Sequence, residues 1–350
     1  MVLINDPRDN YREYNVSFHI HFPKDKKKEK FGLEELVISA FNSKPTRHFI
    51  ILAGTSNKER ISDNEYFEFL RKMKDKKEGG KLLKYLEERL KNSNNVRKRK
   101  SPEENINVDY IEASANDYLV KFSFYSKSIG GKGVGESIDI YLVKGMEIHL
   151  GKNNPPHTLA FLYDGTIGDI VKEYRDKTKE YTGDMIKELK EKNSIVIMAH
   201  PFMSFAYGVD EETLTNLLKS EETKPHAIEW NCQIPRVFDY FGFIFPYRNK
   251  VIKYSKDHSI PFVVGVDSVL ADINSGGYSI MRLNPKNPKE LRESFRMVLT
   301  REAMEKGYLK NVLKSISYSS FLANLWDVVR VNSKRLIKKF GLSQDKGKDF

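Results

Sequence analysis

The run Ile195-Val196-Ile197-Met198-Ala199-His200-Pro201 constrains the fold of this chain most. A β-branched, uninterrupted apolar stretch of this length predicts a strand buried on both faces, as in the parallel sheet of an α/β protein. The histidine and proline that stop it place an imidazole at the carboxyl-end rim of the sheet, where α/β folds assemble their chemistry. Other strand-like runs end in the same way. They are Val16-Ser17-Phe18-His19-Ile20-His21, Gly145-Met146-Glu147-Ile148-His149 and Phe262-Val263-Val264-Gly265-Val266-Asp267. Several metal-competent endings in one chain predict a shared site.

The flanking pattern agrees with an α/β architecture. Val16–Phe22, Gly32–Asn42 and His48–Ala53 read as a β-α-β unit. Strands are expected at Asn107–Ser114, Tyr118–Tyr125, Ile138–Leu150, Ala227–Asn231 and Pro261–Val266. Helices are expected over Ile167–Lys192, Glu211–Ser220 and Arg248–His258, and from Pro288 to about Phe340. The glycine-rich Gly130–Gly135 lacks the Gly-Lys-Ser/Thr ending of a phosphate loop and precedes a strand, so it reads as a hairpin. At 350 residues the chain can hold one large α/β barrel or two ordinary domains.

Charge bears on partners. Lysine and arginine exceed aspartate and glutamate by 11, which favours a nucleic acid, another phosphate-rich partner or an anionic membrane face. Much of the excess lies in Asn57–Lys100, with 15 basic and 8 acidic residues. This stretch reads as a helical insert, Asn64–Lys91 broken near Gly79-Gly80, followed by a basic linker. It is either a solvated surface or an electrostatic arm for nucleic-acid phosphates. Its aromatic residues Tyr66, Phe67, Phe69 and Tyr85 have the spacing of helix packing. The single cysteine, Cys232, excludes an intrachain disulfide and any multi-cysteine zinc knuckle. With no apolar signal core near Met1 and no apolar run of about 18 residues, the expectation is a cytoplasmic protein without a transmembrane segment.

The ligand-capable residues, taken together, are His19, His21, Glu147, His157, His200 and Asp267. Imidazole and carboxylate suit borderline divalent metals, and a shared carboxylate can hold two. Strand alternation puts His19 and His21 on one face. His48, His149, His226 and His258 are read as lying outside the ligand set.

In order and spacing these motifs resemble the PHP superfamily, named after polymerases and histidinol phosphatase. The resemblance runs from Val16 to Leu283. It rests on Phe18-His19-Ile20-His21, Gly145-Met146-Glu147, Pro156-His157 opening a hydrophobic strand, Ala199-His200-Pro201, Glu229-Trp230-Asn231 and Gly265-Val266-Asp267-Ser268-Val269. It implies an α/β fold, a distorted (β/α)7 TIM-like barrel over residues 1–300 interrupted by the basic helical insert at 57–106, with a helical extension over 301–350. It also implies phosphoesterase chemistry on a metal cluster. Members often hold three ions, but the third-metal positions here carry Lys27, the loop around Ala53–Asn57, and Val269. The resemblance therefore implies two divalent ions (zinc, manganese or iron). His19, His21, Glu147 and Asp267 would hold one, and Glu147, His157 and His200 the other, with Glu147 bridging. The catalytic set is then Glu147, His200 and Asp267.

Water activated between two dications would attack a phosphoester. Arg236 or Lys27 would supply the cation the lost ion leaves missing. Glu229 and Asn231 are read as supporting or structural. Three functions follow: a phosphoesterase on a nucleic acid or nucleotide, a phosphatase on a small phosphorylated metabolite, or a degenerate barrel kept as a binding scaffold. The C-terminal stripe Phe321, Leu322, Leu325, Trp326, Val329 and Leu336, flanked by basic residues, either packs on the barrel or forms a homodimer contact or membrane-surface helix.

Overall fold

The computed structural model describes residues 6–21, 33–43, 47–55, 63–96, 108, 110–125, 137–149, 156–174, 176–203, 208–232, 247–268 and 277–314. All described strands join one curled, mixed sheet, a half-barrel with helices packed around it. Its central members are β1 (Arg12–Ile20), β2 (His48–Leu52), β9 (Ile195–Met198), β10 (Ala227–Asn231) and β11 (Phe262–Ser268). These pair in parallel in the order β9-β10-β11-β1-β2.

The expected (β/α)7 barrel is not what forms, because antiparallel pairing enters the sheet in three places. First, β7 (Gly145–His149) and β8 (His157–Phe161) are antiparallel, and β8 is antiparallel to β9 as well. The chain between His149 and His157 is hairpin-length, whereas a parallel return needs a crossover of a dozen or more residues. Second, β4 (Tyr110–Ala115), β5 (Leu119–Tyr125) and β6 (Ser137–Val143) form an antiparallel meander on the edge of β2. Third, β12 (Tyr278–Leu283) runs antiparallel to the first half of β1 and pairs with β13 (Leu309–Val312).

Other expectations shift locally. The strand expected over Ile138–Leu150 is two, β6 and β7, divided at Lys144. A two-residue strand, β3 (Gly54–Thr55), continues β2 and pairs in parallel with β7, so the sheet curls back toward its own middle. The helical reading after Pro288 holds for α8 (Pro288–Val298) and the short α9 (Arg301–Glu305), and then gives way to β13. The helix expected over Ile167–Lys192 is α4 (Gly168–Tyr174) and α5 (Thr182–Glu191), separated by a 3-10 turn at Lys179–Tyr181. Gly130–Gly135, the basic linker after Val96 and the C-terminal stripe lie outside the described residues.

The insert's helices, α2 (Asp63–Lys74) and α3 (Lys76–Val96), part at Asp75, ahead of the glycines. The Asp75 carboxylate accepts from the backbone N–H groups of Lys77 and Glu78 at 2.9 Å, so it caps α3. Tyr66, Phe69, Leu70, Leu86 and Leu90 are buried in the same core as α1 (Leu33–Ser43). Helical aromatic spacing here serves packing.

Two apolar layers hold the sheet. Outside, Val196, Met198, Ile228 and Val264 pack with Met185, Ile186 and Leu189 of α5, Val251 of α7 (Tyr247–Asp257), and Leu214 of α6 (Glu211–Leu217). Alternate residues of the same strands (Ile195, Ile197, Val263) face the concave side. That side is filled by α8. Asn287 caps this helix by accepting from Glu290 N–H at 2.9 Å, and Pro288 occupies its first position. Leu291, Phe295 and Val298, spaced at i, i+4 and i+7, then meet the sheet. The Phe295 ring makes edge contacts with Phe18, Phe49 and Phe161, at 6.5, 6.2 and 5.3 Å between centroids.

Phe295→Ala should therefore cost about 3–5 kcal/mol, read as a lowered denaturation midpoint with an unchanged slope. A loss under about 1 kcal/mol would show that the concave face is held by something other than α8.

Candidate metal centre

Three strand ends reach the site through backbone bends. In β1 the register slips between Phe18 and Ile20 against β11 and between Ser17 and Ile20 against β2, and His19 adopts φ 61° within the slip. The His19 and His21 rings lie 4.9 Å apart as a result. Both turn toward Glu147, but a bulge sets them there and simple alternation does not. His200 and Asp267 also lie in the left-handed region, at φ 30° and 45°. Such residues cost on the order of 1–3 kcal/mol each and persist only where their surroundings hold them. The approach to His200 is fixed from behind. Helix α5 ends with Asn193 at φ 59° and Ser194 N–H bonded to Leu189 O at 3.0 Å, a tight stop that leads directly into β9.

At the centre lies the buried Glu147 carboxylate. Its Oε1 is 3.3 Å from His19 Nε2, 2.7 Å from His157 Nδ1 and 3.3 Å from His200 Nε2. Its Oε2 is 3.5 Å from His21 Nε2 and 3.0 Å from His149 Nε2. Asp267 Oδ1 closes one side, 3.1 Å from His21 Nε2 and 3.7 Å from His19 Nε2. Ligand atoms of His19, His21 and Glu147 lie within 4.8 Å of one another, as do those of Glu147, His157 and His200. A third such group joins His19, His200 and Glu229.

Backbone and carboxylate acceptors orient the rings. His21 Nδ1 donates to Ala53 O at 2.9 Å, and His19 Nδ1 donates to the Glu229 carboxylate at 3.0 and 3.1 Å. Both rings therefore turn an Nε2 lone pair toward Glu147 and Asp267, which are themselves acceptors. His19 Nε2 is buried and makes no hydrogen bond among the described residues. Acceptors facing acceptors in a buried cluster need a proton or a cation between them. Imidazole Nε2 atoms with a carboxylate behind Nδ1 are the arrangement metal-binding histidines use. The buried His and Glu groups are thus able to bind a metal ion.

Glu229 also accepts the His200 backbone N–H at 2.7 Å, which ties β9 to β10 and β1 at the rim. It lies where a side chain on Gly265 would stand, since a Cβ there would overlap its carboxylate. Glycine at 265 is a matter of close approach. Asn231 donates to Asp267 Oδ2 at 2.9 Å.

The cluster's charges are coupled. Burial opposes ionisation of Glu147, but the facing His149, His19 and His157 hold its carboxyl well below the usual range. Asp267 is likewise depressed, burial being outweighed by His19, His21 and His200. Burial works against charge on His19 and His200 too. Glu229, Asp267 and Glu147 raise His19 well above 6.5, and Glu147, Asp267 and Glu229 raise His200. His157 goes the other way, lowered to about 4 by burial.

All six residues named from the sequence meet here: His19, His21, Glu147, His157, His200 and Asp267. Lys27, Arg236 and Val269 lie outside the described residues. Glu229 and Asn231 are orienting groups. His48 is bonded to Ser17 at 3.0 Å, His226 accepts Val196 N–H at 3.1 Å, and His258 stacks on Tyr254. His149, read from sequence as outside the ligand set, stands against Glu147. Its two-residue offset from Glu147 on one strand was the available signal.

No family model matches the chain, and no curated protein does. Among solved structures it is similar to PsfC from Pseudomonas syringae PB-5123, with a TM-score of 0.47 and 9% identity over 92% of this chain and 99% of that one.

Without metal, the raised His19 and His200 contribute stability that is fully present below pH 6.5 and lost as pH rises through their folded values. Glu147 and Asp267 contribute stability present above 4.5 and 3.8 and lost as pH falls through their depressed folded values. Bound cations replace the protons on the imidazoles. The melting-temperature difference between metal-loaded and chelator-treated protein should therefore widen from pH 6 to pH 9. A constant difference would argue against metal and protons competing for these nitrogens.

Proposed function

We propose that the chain is a metal-dependent phosphoesterase whose centre takes two divalent ions, with Glu147 shared between them. One observation carries this reading. A single buried carboxylate belongs to two ligand groups, His19-His21-Glu147 and Glu147-His157-His200, with Asp267 beside the first. The motif order similar to the PHP superfamily supports phosphoesters as the substrate class. The mixed imidazole and carboxylate donors suit zinc, manganese or iron.

Two bound dications would lower the pKa of a water toward neutrality and offset charge gathering on phosphate oxygens. The chain's own groups do the rest. Glu229 holds the His19 ring and the His200 backbone, Ala53 O holds His21, and Asn231 aims Asp267. The ligand side chains themselves lie away from bulk water, His19, Glu147, His157 and His200 all being buried.

A nucleic acid or nucleotide is the favoured substrate. Along α2 and α3, exposed Arg71, Lys76, Lys77 and Lys84 carry no ion pair among the described residues, whereas Lys74 and Lys81 are paired with Asp117 and Glu78. The packed apolar face of these helices is the observation that favours the other reading, a small phosphorylated metabolite with the insert as structure.

Purified protein supplied with Mn2+ or Zn2+ should hold two ions per chain by elemental analysis and hydrolyse bis-p-nitrophenyl phosphate. His200→Ala should lower that rate by at least about a hundredfold. Full activity in this variant, or no ion bound by the wild type, would reject the centre. Oligonucleotide binding that weakens steeply between 50 and 200 mM salt would favour the nucleic-acid substrate.

A further inference from the structure

His149 and His157 are the last directly opposed pair of the β7–β8 ladder. Their rings stack at 3.8 Å between centroids, with planes 22° apart. Along β7, His149 is two residues from Glu147 and shares its face. Its Nε2 donates to Glu147 Oε2 at 3.0 Å. One side chain thus grips both the carboxylate that the two ligand groups share and a histidine that belongs to only one of them. It is also the most exposed imidazole of the cluster, its side chain 29% exposed against 0–11% for His19, His21, His157 and His200. It stands at the mouth, and the other four are walled in.

His149 takes no part in the compact ligand groups. The two oxygens of Glu147 are divided instead. Three imidazoles surround Oε1, while His21 and His149 attend Oε2, and His149 is the nearer by half an ångström. Without His149 the carboxylate can rotate about its terminal torsion, which is broad for glutamate. His157, which has a nitrogen 2.7 Å from Oε1, loses the ring that stacks against it.

We propose that His149 is a positioning residue for the ion held by Glu147, His157 and His200. It fixes the rotation of Glu147 through one hydrogen bond and the ring plane of His157 through stacking, without binding the ion itself. The ion at His19, His21, Glu147 and Asp267 keeps its other three ligands and depends on His149 far less. This rests on the two-ion reading of the site.

The test is stepwise titration of metal-free full-length protein with Co2+, following visible absorbance, together with bound metal per chain and the melting temperature before metal is added. Wild type should take up two ions. His149→Ala should bind one ion as wild type does and the other about 10–100-fold more weakly, the usual effect of removing a group that orients a metal ligand. His149→Gln, which retains a donor, and His149→Phe, which retains a stacking ring, should each recover part of the loss. The Co2+ spectrum of the fully loaded Ala variant should match wild type.

Two unchanged affinities in His149→Ala would overturn the proposal and leave the two-ion centre standing. Equal weakening of both ions with a lowered metal-free melting temperature would also overturn it, in favour of a general structural role. An altered Co2+ spectrum, with Gln and Phe no better than Ala, would make His149 a ligand and overturn it too. A wild type that binds no ion would remove the two-ion centre, and this proposal with it.

Discussion

Everything at the rim of this sheet answers to one requirement, the burial of the Glu147 carboxylate. An ionised carboxylate away from water is costly by several kcal/mol unless it is paired and hydrogen-bonded. Here five imidazoles, from β1, β7, β8 and the end of β9, converge on its two oxygens. The same low-dielectric setting that makes the carboxylate expensive strengthens whatever cation joins it. Stability and metal-binding capacity are here two consequences of one arrangement.

That arrangement is reached through strain at the edges and rigidity beneath. His19, His200 and Asp267 all have left-handed backbones, and each is held by a group that is itself buried or tied to a neighbouring strand. Glu229 does the most, since it spans β10, β1 and the end of β9 from a space that exists only because residue 265 is glycine. Below this layer α8 fills the concave face with Phe295 and its neighbours. Interiors packed at crystal-like density transmit little slack. The bent residues therefore have a firm base to be bent against.

Legibility from the sequence divided along physical lines. The apolar runs and their polar endings were readable because burial and side-chain chemistry are written residue by residue, and all six ligand-competent residues do meet. The helices of the insert were readable from spacing, although the break fell at Asp75, where a capping carboxylate outcompeted the two glycines downstream. The (β/α)7 barrel was not what formed. The β8 strand looks the same whether it runs with or against its neighbours, and β12 and β13 carry weak patterns beside a strong helix. His149 was passed over because a histidine at a strand end gives no sign of what will lie across the ladder from it.

By itself the sequence determined the six ligand-competent residues and their order along the chain, together with the strands that would deliver them, because these follow from local burial and residue type. Tertiary structure alone decided the direction of β8, the slip in β1 that turns His19, the ring nitrogens that face inward, and the pairing of His149 with His157. Those depend on contacts between residues far apart in sequence, and a period-two pattern specifies a face of a strand while leaving open the partner and direction of its pairing.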